Sequence, residues 1–128
     1  MNLRFILIFV LSTLLGCGVP RLSDEHSLTL EIGEIRTLAI DPLDVEQTIK
    51  VVASSPDGPF NVHIYPQEYE AQIERSITLG KLPEHVIASS GNTRETTLEA
   101  TIPPDKEAII RFYPAARKQI TVNVTLSN

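Results

Sequence analysis

The chain has 128 residues, 42% of them hydrophobic but only 5% aromatic, with 11 basic residues against 16 acidic ones, a single cysteine and no tryptophan. A net charge of −5 disfavours nucleic acid and leaves no polybasic membrane patch; one cysteine rules out an intrachain disulfide, and the scarcity of aromatics leaves a sugar-stacking platform poorly supplied. The length allows one domain around one largely aliphatic core and is too short for two.

At the N-terminus Arg4 leads into an uncharged apolar run from Phe5 to Gly16. As a helix this run reaches about 18 Å, against about 30 Å of bilayer hydrocarbon, so it is too short to span permanently. A basic residue before a short apolar stretch is the layout of a secretory signal, and residues 1–16 are expected to form a signal helix. The stretch ends in Leu14-Leu15-Gly16-Cys17, with no Ala-x-Ala site after it. Leu-Leu-Gly-Cys resembles the lipobox of bacterial lipoproteins. That resemblance implies cleavage between Gly16 and Cys17 and acylation of Cys17 as the first mature residue. The competing reading is an incidental thiol in a plain signal or anchor. Against it stand the position of the motif directly after the apolar run and the fact that Cys17 is the sole cysteine. Two acyl chains, at about 0.8 kcal/mol per buried methylene, hold a protein on a membrane where one chain is marginal. Gly18 follows the cysteine, so the Asp of the family's inner-membrane retention signal is missing. The resemblance therefore implies an exported protein, anchored through lipidated Cys17 and facing the periplasm or the cell surface.

Gly18 to Ser27 shows no apolar periodicity and reads as the rest of a tether over residues 17–27, with His26 solvated in it; the domain proper is expected over 28–128. From Leu28 the period is two. Leu28, Leu30 and Ile32 alternate with Thr29 and Glu31, Ile49 and Val51 with Lys50 and Val52, and Phe60, Val62 and Ile64 with Asn61 and His63. Leu98, Ala100 and Ile102 follow the same rule, as do Ala108, Ile110 and Phe112, and Ile120, Val122, Val124 and Leu126. Each run has the length and composition of a half-buried strand. Adding Ile35–Ile40 gives about seven. Pro42, Pro66, Pro103-Pro104 and Pro114 stand where a hydrogen-bonded ladder must stop, and Pro56-Asp57-Gly58 is a turn. Gly33-Glu34 could join the first two strands as a tight hairpin with Glu31 opposite Arg36. That register points Leu38 and Ile40 away from the face of Leu28 and Leu30, so a bulge, or a strand that changes sheets, is expected near Thr37.

Residues 67–79 break the pattern. Tyr69, Ile73 and Ile77 recur every four, with Gly80 as a stop and Pro83 beyond, which predicts a short helix over an end or edge of the sheets. Val86–Ser89 could add an eighth strand, with Gly91-Asn92-Thr93 as a loop. Seven to eight closely spaced strands without alternating helices predict an all-β antiparallel sandwich. The succession Ile49–Ser54, Pro59–Tyr65, an acidic helical insert, Thr97–Pro103 and a last strand resembles the jelly-roll sandwiches of the GOLD and bacterial pre-peptidase C-terminal class, over residues 28–128. The resemblance implies an ancillary domain that binds proteins, lipids or polymers, and it carries no metal-binding residues over to this chain.

No catalytic, metal or cofactor signature emerges. The histidines His26, His63 and His85 have no ligand spacing, and there is neither a Gly-x-Ser-x-Gly elbow nor a phosphate-cradling loop. Asn61, His63 and Tyr65 share one strand face and form a possible ligand face, although alternation alone would expose them. Three readings follow: a lipid-anchored, non-catalytic envelope module binding a protein or surface polymer; a carrier of a small apolar ligand between the sheets; and a small hydrolase, the least favoured.

Overall fold

A computed structural model of the chain describes residues 22–128, so the expected signal helix, the cleavage site at Gly16 and the lipidated Cys17 lie outside the described residues. The described residues form eight strands and one insert. β1 (Ser23–Leu30), β2 (Arg36–Ile40), β3 (Gln47–Ser54) and β4 (Phe60–Pro66) come first. A 3-10 turn (Gln67–Tyr69) and helix α1 (Glu70–Thr78) follow, and then β5 (Ala88–Thr93), β6 (Glu95–Ile102), β7 (Ala108–Pro114) and β8 (Ile120–Ser127). They build two four-stranded sheets, ordered β1-β8-β3-β6 and β2-β7-β4-β5, in which every strand pair is antiparallel. Consecutive strands cross from sheet to sheet except β4 and β5, which pair with each other, and the first strand pairs with the last. This is the jelly-roll arrangement of an all-β sandwich.

The alternation in sequence becomes the two faces of each sheet. In β3 the buried residues Ile49, Val51 and Ala53 alternate with Thr48, Lys50 and Val52, and in β8 Ile120, Val122, Val124 and Leu126 are buried between more accessible neighbours. Across from them β4 contributes Phe60, Val62 and Ile64, and β7 contributes Ala108, Ile110 and Phe112. The Phe60 and Phe112 rings lie 6.3 Å apart, tilted, and fill the space between the sheets. Burying one such side chain contributes about 1.5–3 kcal/mol, so this aliphatic layer supplies most of the cohesion in a chain without disulfides.

Three local expectations change. β1 begins at Ser23, not Leu28: Ser23–Ser27 already pair with Asn123–Ser127, and His26 accepts a place in the strand with its Nε2 2.9 Å from Asp24. Those residues belong to the sheet and not to the expected tether, because polar alternation on an outer face is read in sequence as no periodicity at all. Second, β1 and β2 are not a hairpin. They lie in different sheets, joined by a turn in which the Glu34 amide donates to the Glu31 carbonyl at 2.9 Å and Gly33 takes φ 75°. The change of sheet expected near Thr37 happens in that turn, and Arg36 approaches Glu34 instead of Glu31, at 3.8 Å. Third, Gly91-Asn92-Thr93 belongs to β5. The β4–β5 register slips between Phe60 and Val62, and the surplus residue is accommodated at Asn92, φ 50°, whose amide donates to Asn61 Oδ1 at 2.9 Å.

The insert lies on the outer face of the β2-β7-β4-β5 sheet. Ile73 is fully buried in a second cluster with Tyr65 and Ile109, flanked by Tyr69, Ile77 and Val86. This explains why Tyr65 and Ile109, which strict alternation would expose, are buried. α1 stops at Gly80, φ 71°, whose amide donates to the Ile77 carbonyl. No helix among the described residues is long and apolar enough to cross a membrane.

Candidate functional site

The two outer faces of the sandwich differ. On the β1-β8-β3-β6 sheet the outward residues are an ordinary solvated set such as Thr48, Lys50, Glu99 and Thr101, exposed and joined here and there by hydroxyl contacts such as Thr48 to Thr101 at 3.1 Å. On the β2-β7-β4-β5 sheet α1 covers only the half around Tyr65 and Ile109. Beyond it the strand register aligns one polar row across all four strands: Thr37 on β2 faces Arg111 on β7, Arg111 faces His63 on β4, and His63 faces Ser89 on β5.

Arg111 is the centre of that row. Only 4% of it is exposed, and its Nε is a buried donor with no hydrogen-bond partner. It forms no ion pair among the described residues. Its nearest electrostatic company is the Tyr65 hydroxyl, which donates to Glu70 Oε1 at 3.1 Å and feels both Glu70 and Arg111. Burial raises the Tyr65 phenol above its usual range, with Arg111 opposing that shift as a hydrogen-bond neighbour.

His63 lies on the other side. Its Nε2 is 3.0 Å from the Tyr113 hydroxyl, the two rings are stacked at 5.7 Å, and its Nδ1 is buried without a partner. Burial first, and the Arg111 charge second, hold its pKa below the usual imidazole value, so the ring is neutral at physiological pH. Burial likewise raises the Tyr113 phenol. A neutral imidazole carries its proton on one nitrogen only, so the Tyr113 hydroxyl either donates to Nε2, leaving N–H at Nδ1, or accepts from it.

Of the three residues expected on this face, only His63 belongs to the open part. Tyr65 is fully buried beneath α1, and Asn61 uses its side-chain oxygen to clamp the β5 bulge. Arg111, Tyr113, Thr37 and Ser89 escaped the sequence reading. The alternation of β7 already set Ile109, Arg111 and Tyr113 on one side, but which strands flank them is a matter of sheet order, which periodicity does not carry. His85 lies elsewhere, stacked on Tyr69 at 4.1 Å with the rings nearly parallel. Neither histidine is hydrogen-bonded to a serine among the described residues, and no group of three metal-ligating side chains occurs among them.

No protein-family model matches the chain, and no curated protein sequence matches it. Solved structures do share its architecture. The pre-peptidase C-terminal domain of a collagenase from Bacillus anthracis aligns with a TM-score of 0.55 at 10% identity, covering 82% of this chain and 89% of that one. The Yersinia pseudotuberculosis-derived mitogen aligns at 0.57 and 5% identity, over 84% and 86% of the two chains. PliG of Aeromonas hydrophila, a periplasmic inhibitor of g-type lysozyme, aligns at 0.50 and 12% identity over 84% of each. At such identities the likeness is one of fold: the chain is a β-sandwich similar to the pre-peptidase C-terminal domain.

Proposed function

We propose that the chain is a lipid-anchored, non-catalytic module of the bacterial cell envelope, held through acylated Cys17 and binding a protein or surface polymer with the open half of its β2-β7-β4-β5 face. The observation that carries this reading is the buried Arg111, with an unpartnered Nε and no ion pair among the described residues, set in a polar row on an outer face, which a purely structural sandwich has no need to maintain. Orientation supports it. The chain enters at the Ser23 end of β1, α1 follows β4 at that same end, and the Asn61–Tyr113 pair lies beyond the row towards the opposite end. The fold adds support at its own level, since the neighbours include a collagenase's pre-peptidase C-terminal domain and a periplasmic lysozyme inhibitor. A carrier of apolar ligands finds no support in an intersheet space filled by Phe60, Phe112 and their aliphatic neighbours.

Two measurements test the reading. Palmitate should label the wild-type chain and leave Cys17→Ser unlabelled; a labelled mutant would end the anchoring claim. A photo-crosslinking residue placed at Thr37 or Ser89 of the anchored full chain should give a discrete adduct that the same residue at Lys50 or Glu99 does not. Identical patterns from both sheets would mean that the row is not the contact face.

A further inference from the structure

We propose that the Thr37–Arg111–His63–Ser89 row is a receptor for a single carboxylate, with the Arg111 guanidinium as its charged anchor and the His63 Nδ1–H as its second donor. The inference rests on the face chosen above, but neither on the lipid anchor nor on the identity of the partner.

Charge is the first argument. Arg111 is 4% exposed as a residue, so its guanidinium has lost most of its hydration, and a buried cation with no ion pair is costly to keep. Its only route to a negative charge among the described residues runs through the Tyr65 hydroxyl to Glu70. The hydroxyl bond leaves Nε unused. Geometry is the second. Arg111 and His63 are directly paired across β7 and β4, so the unpartnered Nε and the unpartnered Nδ1 belong to adjacent side chains on the same face. Thr37 and Ser89, both exposed, continue the row with hydroxyl donors on the two edge strands.

The third argument is the chemistry of the donors. The guanidinium fork is planar and matches a carboxylate in two parallel hydrogen bonds. The second donor is a neutral imidazole, because burial and Arg111 keep a proton off His63, so the site offers one positive charge and suits a monoanion. The net charge of −5 works against a polyanion.

The test uses the full chain held in detergent, with nitrogen-labelled arginine and histidine, titrated at constant ionic strength and neutral pH. Sodium acetate and a blocked Gly-Glu-Gly peptide are the carboxylate probes; phosphate and chloride are the controls. The arginine Nε–H signal that disappears in Arg111→Lys, and the His63 ring signals, should move saturably with either carboxylate and linearly or not at all with chloride. Tighter binding of the peptide assigns the site to an acidic side chain of a partner protein, and tighter binding of acetate assigns it to a free small acid. His63→Phe, which keeps a ring against Tyr113 but has no N–H, should weaken the carboxylate by about ten-fold, as expected for one lost hydrogen bond to a charged group, with the Arg111 signal still reporting an intact fold. Shifts that never saturate, phosphate binding as tight as acetate, or an unchanged affinity in His63→Phe would each overturn the proposal. Loss of the Thr37 crosslink with a retained carboxylate titration would defeat the partner face while leaving this site standing.

Discussion

Neighbouring residues on one strand can differ in energetic weight by an order of magnitude, and β8 and β3 make the contrast measurable. Val122 is fully buried, and truncating it to Ala should cost about 2–4 kcal/mol in urea unfolding, whereas exposed Lys50→Ala should stay within about 0.5 kcal/mol. Equal losses would place the hydrophobic face on the wrong side of the strand. His63 makes a prediction of a different kind. Its folded pKa lies below its unfolded value of 6.5, so between the two the unfolded chain binds a proton that the native one refuses. Stability contributed by His63 is therefore complete above about pH 6.5 and lost as pH falls towards the native pKa. The denaturation midpoint of wild type should drop more steeply below that pH than that of His63→Gln; parallel curves would show that the imidazole is unperturbed.

At the scale of elements, α1 is the piece whose role depends on tertiary context. Nine residues are too few to hold a helix in water, so its stability comes from Ile73 seated against Tyr65 and Ile109. Glu68 and Lys106 are bonded to each other and tie the preceding turn to the β6–β7 loop, and the Tyr69–His85 stack closes the far side. Ile73→Ala should cost about 2–4 kcal/mol at most and should first raise amide exchange in residues 67–87, before the β8 amides respond. Uniform exchange across both regions would mean that the insert and the sandwich unfold as one unit. The insert also decides what the site is, because it shelters Tyr65 and Ile109 and leaves Arg111 and His63 at its margin.

For the whole molecule the controlling fact is that β8, the last strand, lies between β1 and β3 in its sheet. The sheet that receives the N-terminus cannot close until the C-terminus has been made, a non-local topology of the kind that folds slowly. A chain ended after Lys118 should show no cooperative unfolding transition, while removal of Asn128 alone should be tolerated. A cooperative transition in the shorter chain would show that β1 and β3 can pair without β8. Charge is also arranged at this scale. At the end where the chain enters, Asp41, Asp44, Glu46, Asp105 and Glu107 outnumber Lys106 in the loops, whereas at the opposite end Arg94, Arg117 and Lys118 are balanced by Glu31, Glu34, Asp57 and Glu95.

Strand existence and the inward face of nearly every strand were legible in the sequence, because period-two burial writes itself into Ile49-Lys50-Val51 or Ile120-Thr121-Val122 directly. The helix was legible too, through Tyr69, Ile73 and Ile77. Sheet order, the crossing between sheets at Gly33 and the burial of Tyr65 were not, since each depends on which distant segment comes to lie alongside, and no local spacing records that. The same holds for Arg111: as one polar residue among apolar ones on β7 it carried no signal, and it became the centre of a site only when β4 brought His63 beside it and α1 left that half of the face uncovered.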